Sequence, residues 1–225
     1  MVYKGLIEYI SQFITEERYS LYKKIIEHRT RYITVVLEDI YQSQNASAVI
    51  RTCDCFGIQD VHVIENKNKF KINYNVSLGS TKWVDINLHN SEDENTLDAI
   101  NSLKNRGYRI VAASPHFNDT SLDDFDLAKG KFAIVFGTER RGISDIVQQN
   151  ADEFLKIPMY GFTESFNISV SAAIILHDLT EKLRSSGINW KLDKSEKDEI
   201  LLEWIRKRIK GGDLIIKKYI ESLKV

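Results

Sequence analysis

Six short runs of apolar and β-branched residues alternate with longer stretches of helical periodicity, and this alternation constrains the fold most. Several runs are almost continuously apolar, which is typical of strands covered by helices on both faces. The sequence therefore predicts an α/β fold with a mostly parallel sheet flanked by helices. The predicted strands are Tyr32–Leu37, Asp60–Ile64, Trp83–Leu88, Arg109–Ala113, Phe132–Phe136 and Phe154–Ile157.

Helical periodicity fills the intervals between these strands and both ends of the chain. The predicted helices cover residues 2–28, about 46–56, 94–106, 143–150, 169–185, 195–209 and 212–223. The last two are separated by Gly211 and Gly212. This pattern predicts a helical N-terminal arm over 1–31, a central domain over 32–186 and a helical C-terminal tail over 187–225.

Charge gives no direct sign of a nucleic-acid partner, since 31 Lys and Arg residues face 32 Asp and Glu residues. Any RNA contact must therefore come from local basic clusters, each of which is either a solvated helix face or an RNA-facing patch. One cluster lies near each end of the chain. Their members are Arg18, Lys23, Lys24, His28, Arg29 and Arg31, and Arg206, Lys207, Arg208, Lys210, Lys217 and Lys218.

Several functional classes are disfavoured. The chain has no dinucleotide-binding G-x-G-x-x-G after a strand, no P-loop and no G-x-S-x-G nucleophile elbow. Cys53 and Cys55 are interpreted as reduced thiols, and the five scattered histidines predict no metal site. No signal peptide or membrane-length apolar segment is evident, so we expect a cytoplasmic protein without a membrane partner.

Three polar segments stand out where predicted strands or helices meet, at residues 37–57, 136–144 and 157–171. In open α/β sheets, ligands bind beyond the carboxyl ends of the strands. Arg51 lies among small and apolar residues, so its charge requires a partner. That partner could be a ligand, or Glu139 or Asp54 in a structural ion pair. Ser165 and Asn167 precede a long helix, so they could cap it, contact a substrate, or do both.

In this order, the three segments resemble the signature motifs of the SpoU (TrmH) family of RNA ribose methyltransferases, within the SPOUT superfamily. The first motif is matched by Asn45, Ala48, Arg51 and Thr52, the second by Phe136–Ser144 (FGTERRGIS), and the third from Ile157 to Val170 (IPMYGFTESFNISV). The resemblance covers about residues 32–186. The segment Gly79–Ile86 and the short helical ends are similar to the tRNA-specific branch.

The resemblance implies a trefoil knot near the C-terminal part of the sheet, a rare exception among protein folds. It implies S-adenosyl-L-methionine as the cofactor, a homodimer, and RNA as the substrate, with a guanosine in the D-arm of tRNA as the target. A ribosomal RNA target and a non-catalytic RNA-binding member of the same fold are the alternatives. Relatives that act on ribosomal RNA often carry a larger N-terminal RNA-binding domain. Here only about 31 residues precede the first predicted strand, so the resemblance favours the tRNA target over the ribosomal one.

The resemblance also assigns roles to individual residues. Arg51 matches the arginine proposed to activate the ribose 2′-hydroxyl, and Asn45 matches the asparagine that supports it. The remaining catalytic candidates, which match polar residues of the substrate pocket, are Glu139, Ser165 and Asn167. The residues expected around the cofactor are Pro115, Gly137, Ile157, Met159 and Phe166. Phe166 replaces the usual leucine, and Arg140-Arg141 departs from the tRNA branch.

Overall fold

The computed structural model describes residues 2–117, 120–139 and 141–223, with side chains from Gly5 onward. They form two compact units. The smaller unit combines the residues up to Arg29 with those from Lys191 onward, and the larger unit is Thr30–Trp190.

The larger unit is built around a seven-stranded sheet in which every described strand pair is parallel. The strands are β1 (Ile33–Glu38), β2 (Asp60–Ile64), β3 (Asp85–His89), β4 (Arg109–Ala113), β5 (Thr120–Ser121), β6 (Phe132–Phe136) and β7 (Glu153–Lys156). The predicted α/β class is confirmed. Three predicted strands match in both bounds, and the other three are displaced by one or two residues. The two-residue β5 was missed because so short a strand has no periodicity.

The described helices are α1 (Val2–Ser11), α2 (Glu16–Ile26), α3 (Ser43–Cys55), α4 (Tyr74–Ser77), α5 (Thr96–Asn105), α6 (Asp145–Asn150), α7 (Ile168–Ser185), α8 (Lys194–Arg208) and α9 (Gly212–Ser222). Of these, α3 to α7 belong to the larger unit. The one-turn helix α4 was not predicted from the sequence.

Both faces of the sheet are covered, which explains the continuous apolar runs. On one face, α3 and α7 pack against β1 through residues such as Val49, Leu176 and Leu37. On the other face, Val36 packs with residues of α5 such as Ile100. Successive residues of β1 therefore enter opposite cores, and none of its six residues is exposed.

The strand order is β3-β2-β1-β6-β4-β7-β5. The sheet is thus interleaved on one side, because β6 lies between β1 and β4, and β7 lies between β4 and β5. The carboxyl ends of β4, β6 and β7 meet at the same edge of the sheet, since all of these pairs are parallel.

In the smaller unit, the helix predicted over 2–28 is wrong, because two helices occupy that segment. Thr15 has an extended backbone and its side-chain oxygen accepts the N–H of Arg18, which starts α2 as a separate helix. Ile10, Tyr22, Ile26 and Trp204 are buried in the core of this unit. No described helix is long and apolar enough to cross a membrane.

Candidate active site

A cavity of about 400 Å³ opens at the sheet edge where β4, β6 and β7 end. Its volume falls in the range of small-molecule sites. All five residues expected around the cofactor line it, together with three of the five catalytic candidates. Eight of the predicted site residues thus lie around one cavity: Pro115, Gly137, Ile157, Met159 and Phe166, with Glu139, Ser165 and Asn167.

One wall of the cavity is a tight hairpin that follows β6. The backbone N–H groups of Thr138 and Gly142 each donate to the other residue's carbonyl oxygen across 2.9 Å. A Cβ atom on Gly137 would lie 2.2 Å from the carbonyl carbon and oxygen of Gly142, so only glycine fits there. Gly142 itself has a φ of +68°, which glycine adopts without strain.

Three catalytic candidates form a hydrogen-bonded chain at the rim of the cavity. The side-chain Nδ2 of Asn45 donates to Oε1 of Glu139 across 2.8 Å. The Nδ2 of Asn167 donates to Oδ1 of Asn45 across 3.1 Å. Asn45 is buried at the start of α3, whereas Glu139 and Asn167 are exposed. The buried amide therefore joins the three motifs into one polar unit.

Asn167 has a second role as the N-cap of α7. Its Oδ1 accepts the backbone N–H of Ser169 across 2.8 Å and the Ser169 hydroxyl across 2.6 Å. The capping interpretation is thus confirmed for Asn167, and it is compatible with the bond to Asn45. Ser165 does not cap the helix; it is exposed and lines the cavity.

The lining of the cavity combines apolar and polar groups. Leu155, Ile157, Met159 and Phe166 supply apolar surface that suits an adenine ring and a methylthio group, and Ser114, Thr138 and Glu139 supply hydroxyl and carboxylate oxygens. This combination of apolar surface with hydroxyl and carboxylate groups fits a cofactor that carries a base, a ribose and an amino acid.

Arg51 lies apart from this cavity. Its side chain is exposed on α3, two turns beyond Asn45, and is not among the lining residues. Its Nη1 lies 3.5 Å from the carbonyl oxygen of Val76. Arg51 forms no ion pair with a residue that the structure describes. The ion pair with Glu139 or Asp54 that the sequence left open as an alternative is therefore not observed among the described residues.

Some residues of the two basic clusters have structural roles. Arg29 is buried in the smaller unit, with its guanidinium 5.2 Å from the Trp204 ring. In the same unit, Arg206 pairs with Glu203 and with Asp213. Arg31, in the larger unit, pairs with Asp60 and Asp85. Both clusters therefore offer fewer cations for an RNA phosphate than their composition suggests. Arg140 of the second motif lies outside the described residues.

The sequence analysis missed other contributors to the site. Gln42 precedes α3, and its Oε1 accepts a hydrogen bond from Asn45 Nδ2 across 3.1 Å. Ser114 and His116 flank Pro115 and line the cavity, as does Glu164. Their position directly after strands, or beside motif residues, is a signal that could have identified them. The described residues include no cluster of histidine, cysteine or carboxylate groups that could hold a metal ion.

Comparisons with known proteins identify a matching family, similar sequences and a similar structure. The SpoU rRNA Methylase family model matches residues 32–177. The chain is 45% identical to a tRNA (guanosine(18)-2'-O)-methyltransferase from Borreliella burgdorferi, with 92% of each chain covered. It is 31% identical to a protein of the same description from Thermus thermophilus, over 86% of this chain and 98% of that one. A crystal structure of the A. aeolicus TrmH/SpoU tRNA modifying enzyme superposes with a TM-score of 0.76 at 30% identity, covering 87% and 98% of the chains.

Proposed function

Because the chain belongs to the SpoU methylase family, we propose that it methylates the 2′-hydroxyl of guanosine 18 in the D-arm of tRNA, with S-adenosylmethionine as the methyl donor. The nucleotide is that of the B. burgdorferi and T. thermophilus relatives. The chain of hydrogen bonds through Asn45, Glu139 and Asn167 carries the proposal. It places a polar, partly solvent-accessible group beside a cavity that fits the methyl donor.

When bound, the cofactor would supply a methyl group on a positively charged sulfur: the ribose 2′-oxygen bonds to the methyl carbon and loses its proton, while the carbon–sulfur bond breaks and S-adenosylhomocysteine leaves. Ile157, Met159 and Phe166 would hold its apolar parts, and the hairpin at Gly137 and Thr138 closes one wall of the cavity. These residues would keep the donor in one position, so the protein would contribute chiefly by alignment.

Glu139 and Ser165 are the groups that meet the ribose. One carboxylate oxygen of Glu139 is held by Asn45, and its Oε2 forms no hydrogen bond with a described residue. That oxygen accepts a hydrogen bond from a ribose hydroxyl, while Ser165 offers a second polar contact at the same rim. Asn45 is a positioning residue for both motif loops.

Arg51 acts on the nucleotide from the second copy of the chain. A guanidinium remains charged at neutral pH, so it cannot serve as an ordinary base. It neutralises a phosphate beside the target ribose and stabilises negative charge that develops on the 2′-oxygen. The exposure of Arg51 and its absence from the cavity lining support a role across a dimer interface.

A homodimer is further supported by the loop that precedes α7. Tyr160 and Phe162 are almost fully exposed, at 96% and 110% of their reference areas, and Phe166 and Val170 are exposed beside them. Large apolar side chains exposed close together in sequence are typical of an interaction surface. A two-fold dimer would cover it with the same surface of the other copy.

The interleaved strand order supports the trefoil knot expected of this family. Both β6 and β7 enter the sheet between strands that precede them in sequence, an order that such a knot would produce. We assign transfer chemistry to residues 32–186. The terminal arm and tail supply exposed cations for tRNA phosphates, namely Lys23, Lys24, Lys207, Arg208, Lys210, Lys217 and Lys218.

The test is transfer of a labelled methyl group to unmodified tRNA, with the product mapped by 2′-O-methyl-sensitive primer extension. The proposal predicts label at guanosine 18 of the D-arm. A tRNA with adenosine at that position serves as the matched control and should remain unlabelled. Label on ribosomal RNA alone would contradict the assigned target. Binding of both tRNA and cofactor without transfer would instead identify a non-catalytic RNA-binding protein.

A further inference from the structure

A buried carboxylate at the end of β1, that of Glu38, accepts hydrogen bonds from the end of the loop that forms one wall of the cavity. Glu38 is only 2% exposed. Its Oε2 accepts the backbone N–H of Ser144 across 3.0 Å, and its Oε1 accepts the Ser144 hydroxyl across 2.6 Å. The hydroxyl of Thr96 also donates to Oε1, across 2.9 Å. Glu38 is thus satisfied by three neutral donors and forms no ion pair with a described residue.

Ser144 stands at the end of the loop that lines the cavity, so its contact with Glu38 bears on the position of that loop. The loop that leaves β6 at Gly137 ends at Ser144, whose Oγ accepts the N–H of Val147 and caps α6. Between these two points lie Thr138, Glu139, Arg141 and Gly142, all of which line the cavity. One end of the loop is therefore fixed by β6, and the other by Glu38.

The same carboxylate also precedes the first motif. Seven residues after Glu38, Asn45 reaches back to Glu139 in the loop that Glu38 anchors. Leu37 and Phe136 are register partners in β1 and β6, so both loops leave the sheet side by side. The Asn45–Glu139 hydrogen bond thus joins the segment that follows Glu38 to the loop that Glu38 anchors through Ser144.

We propose that Glu38 is a positioning residue for cofactor binding, acting through Ser144 to hold the loop over 137–144 in its cavity-forming conformation. This inference rests on the proposed function, because it takes S-adenosylmethionine as the occupant of the cavity. A carboxylate that accepts both a backbone N–H and a hydroxyl fixes the loop more firmly than a neutral acceptor would, since hydrogen bonds to ionised groups are the stronger ones.

Three variants separate positioning from simple stabilisation. Glu38→Gln retains the shape of the side chain and removes its charge. Ser144→Ala removes the hydroxyl that bonds to Glu38, whereas Ser144→Thr retains one. The matched control is Glu65→Gln: Glu65 is also buried, and it accepts the backbone N–H of Phe70 across 2.7 Å, but the residues it bonds do not line the cavity.

The measurements are the dissociation constant of S-adenosylhomocysteine by calorimetry, the thermal midpoint, and hydrogen exchange of the 137–144 amides in the cofactor-free chain. Glu38→Gln and Ser144→Ala should each weaken binding about tenfold and speed exchange in that loop, while Ser144→Thr restores both. Glu65→Gln should lower the thermal midpoint and leave binding unchanged.

The inference is overturned if Glu38→Gln and Ser144→Ala lower the thermal midpoint but leave cofactor affinity and loop exchange as in the parent chain. The contact would then be structural only. A parent chain that binds no S-adenosylhomocysteine would overturn the proposed function itself, and this inference with it. The two failures are distinguished by the parent chain alone.

Discussion

Asn45 and Glu139 are 94 residues apart in sequence, and Nδ2 of the first donates to Oε1 of the second across 2.8 Å. This bond connects the start of α3 with the hairpin after β6. A buried amide thereby fixes an exposed carboxylate at the cavity rim. The orientation of Glu139 depends on a residue that does not itself line the cavity.

Replacement of Asn45 should separate turnover from cofactor binding. Asn45→Asp retains the shape of the side chain but sets a carboxylate against Glu139, which removes the donor and adds repulsion. We expect turnover to fall about 10- to 100-fold, while the affinity for S-adenosylhomocysteine changes little. Gln42→Ala is the control, because it removes only the bond from Asn45 to Gln42. Equal losses in both variants would refute this role for the Asn45–Glu139 bond.

Two motif glycines should differ sharply in their tolerance of alanine. At Gly137 a Cβ would lie 2.2 Å from the backbone of Gly142, whereas at Gly161 it would meet no atom within 4 Å. Gly137→Ala should therefore destabilise the chain by about 1–3 kcal/mol and abolish cofactor binding, because the hairpin must shift. Gly161→Ala should be nearly neutral. Thermal unfolding and calorimetry check both, and similar behaviour of the two variants would contradict the geometry.

The stability of the larger unit should fall in mild acid because of a histidine pair. Nδ1 of His62 lies 2.9 Å from Nε2 of His89, and His62 is buried. Burial, followed by the nearby His89 and Arg106, lowers the pKa of His62 from 6.5 to about 3, and burial also lowers the pKa of His89. Both rings are neutral in the folded chain at neutral pH.

The direction of the pH effect on stability follows from the pH at which His62 is protonated in the folded and in the unfolded chain. The unfolded chain protonates His62 near pH 6.5 and the folded chain only near 3, so stability declines as the pH falls through this window. The slope from one such group reaches about 1.4 kcal/mol per pH unit. Urea unfolding at about pH 7 and about pH 5 measures it. His62→Gln should flatten the decline, and His28→Gln, at an exposed site, should not.

Exposed cations of the smaller unit should set the salt dependence of tRNA binding. Replacing Arg208 and Lys210 with alanine removes two of them, and the slope of log affinity against log salt should fall by about one unit for each phosphate that is no longer neutralised. Cofactor affinity should remain unchanged. Lys197→Ala is the control, since Lys197 is engaged by Glu27 across 2.7 Å. An unaltered slope would exclude these cations from the RNA surface.

The centre of the sheet was predictable because strands such as β1, β2 and β6 are buried on both faces. The bounds of Asp60–Ile64, Arg109–Ala113 and Phe132–Phe136 agree with the structure, since each is a compact run between turn residues. The break between α1 and α2 was missed, because the apolar periodicity continues across it and only the capping by Thr15 marks it. Strand order could not be predicted, because it depends on long-range pairing that has no local pattern.

Part of the cavity lining was predictable from the sequence, but the contacts within the site were not. Glycine, proline and polar residues after strands point to one edge of the sheet, and the cavity lies there. The separation of Arg51 from that cavity has no signature in sequence, because the spacing of Asn45 and Arg51 on a helix does not reveal which neighbour each side chain meets. Glu38 likewise directly follows the predicted strand Tyr32–Leu37, and only its contacts with Ser144 indicate its role.

The central claim is that the cavity of one chain works with Arg51 of the other. The most direct test co-expresses Arg51→Ala and Glu139→Ala chains with different affinity tags and assays heterodimers purified on both tags. Each variant alone should be inactive on tRNA. If Arg51 acts across the interface, one complete site remains and the heterodimer retains about half of the parent rate. A heterodimer as inactive as either variant, or a failure to recover heterodimers at all, would contradict the claim.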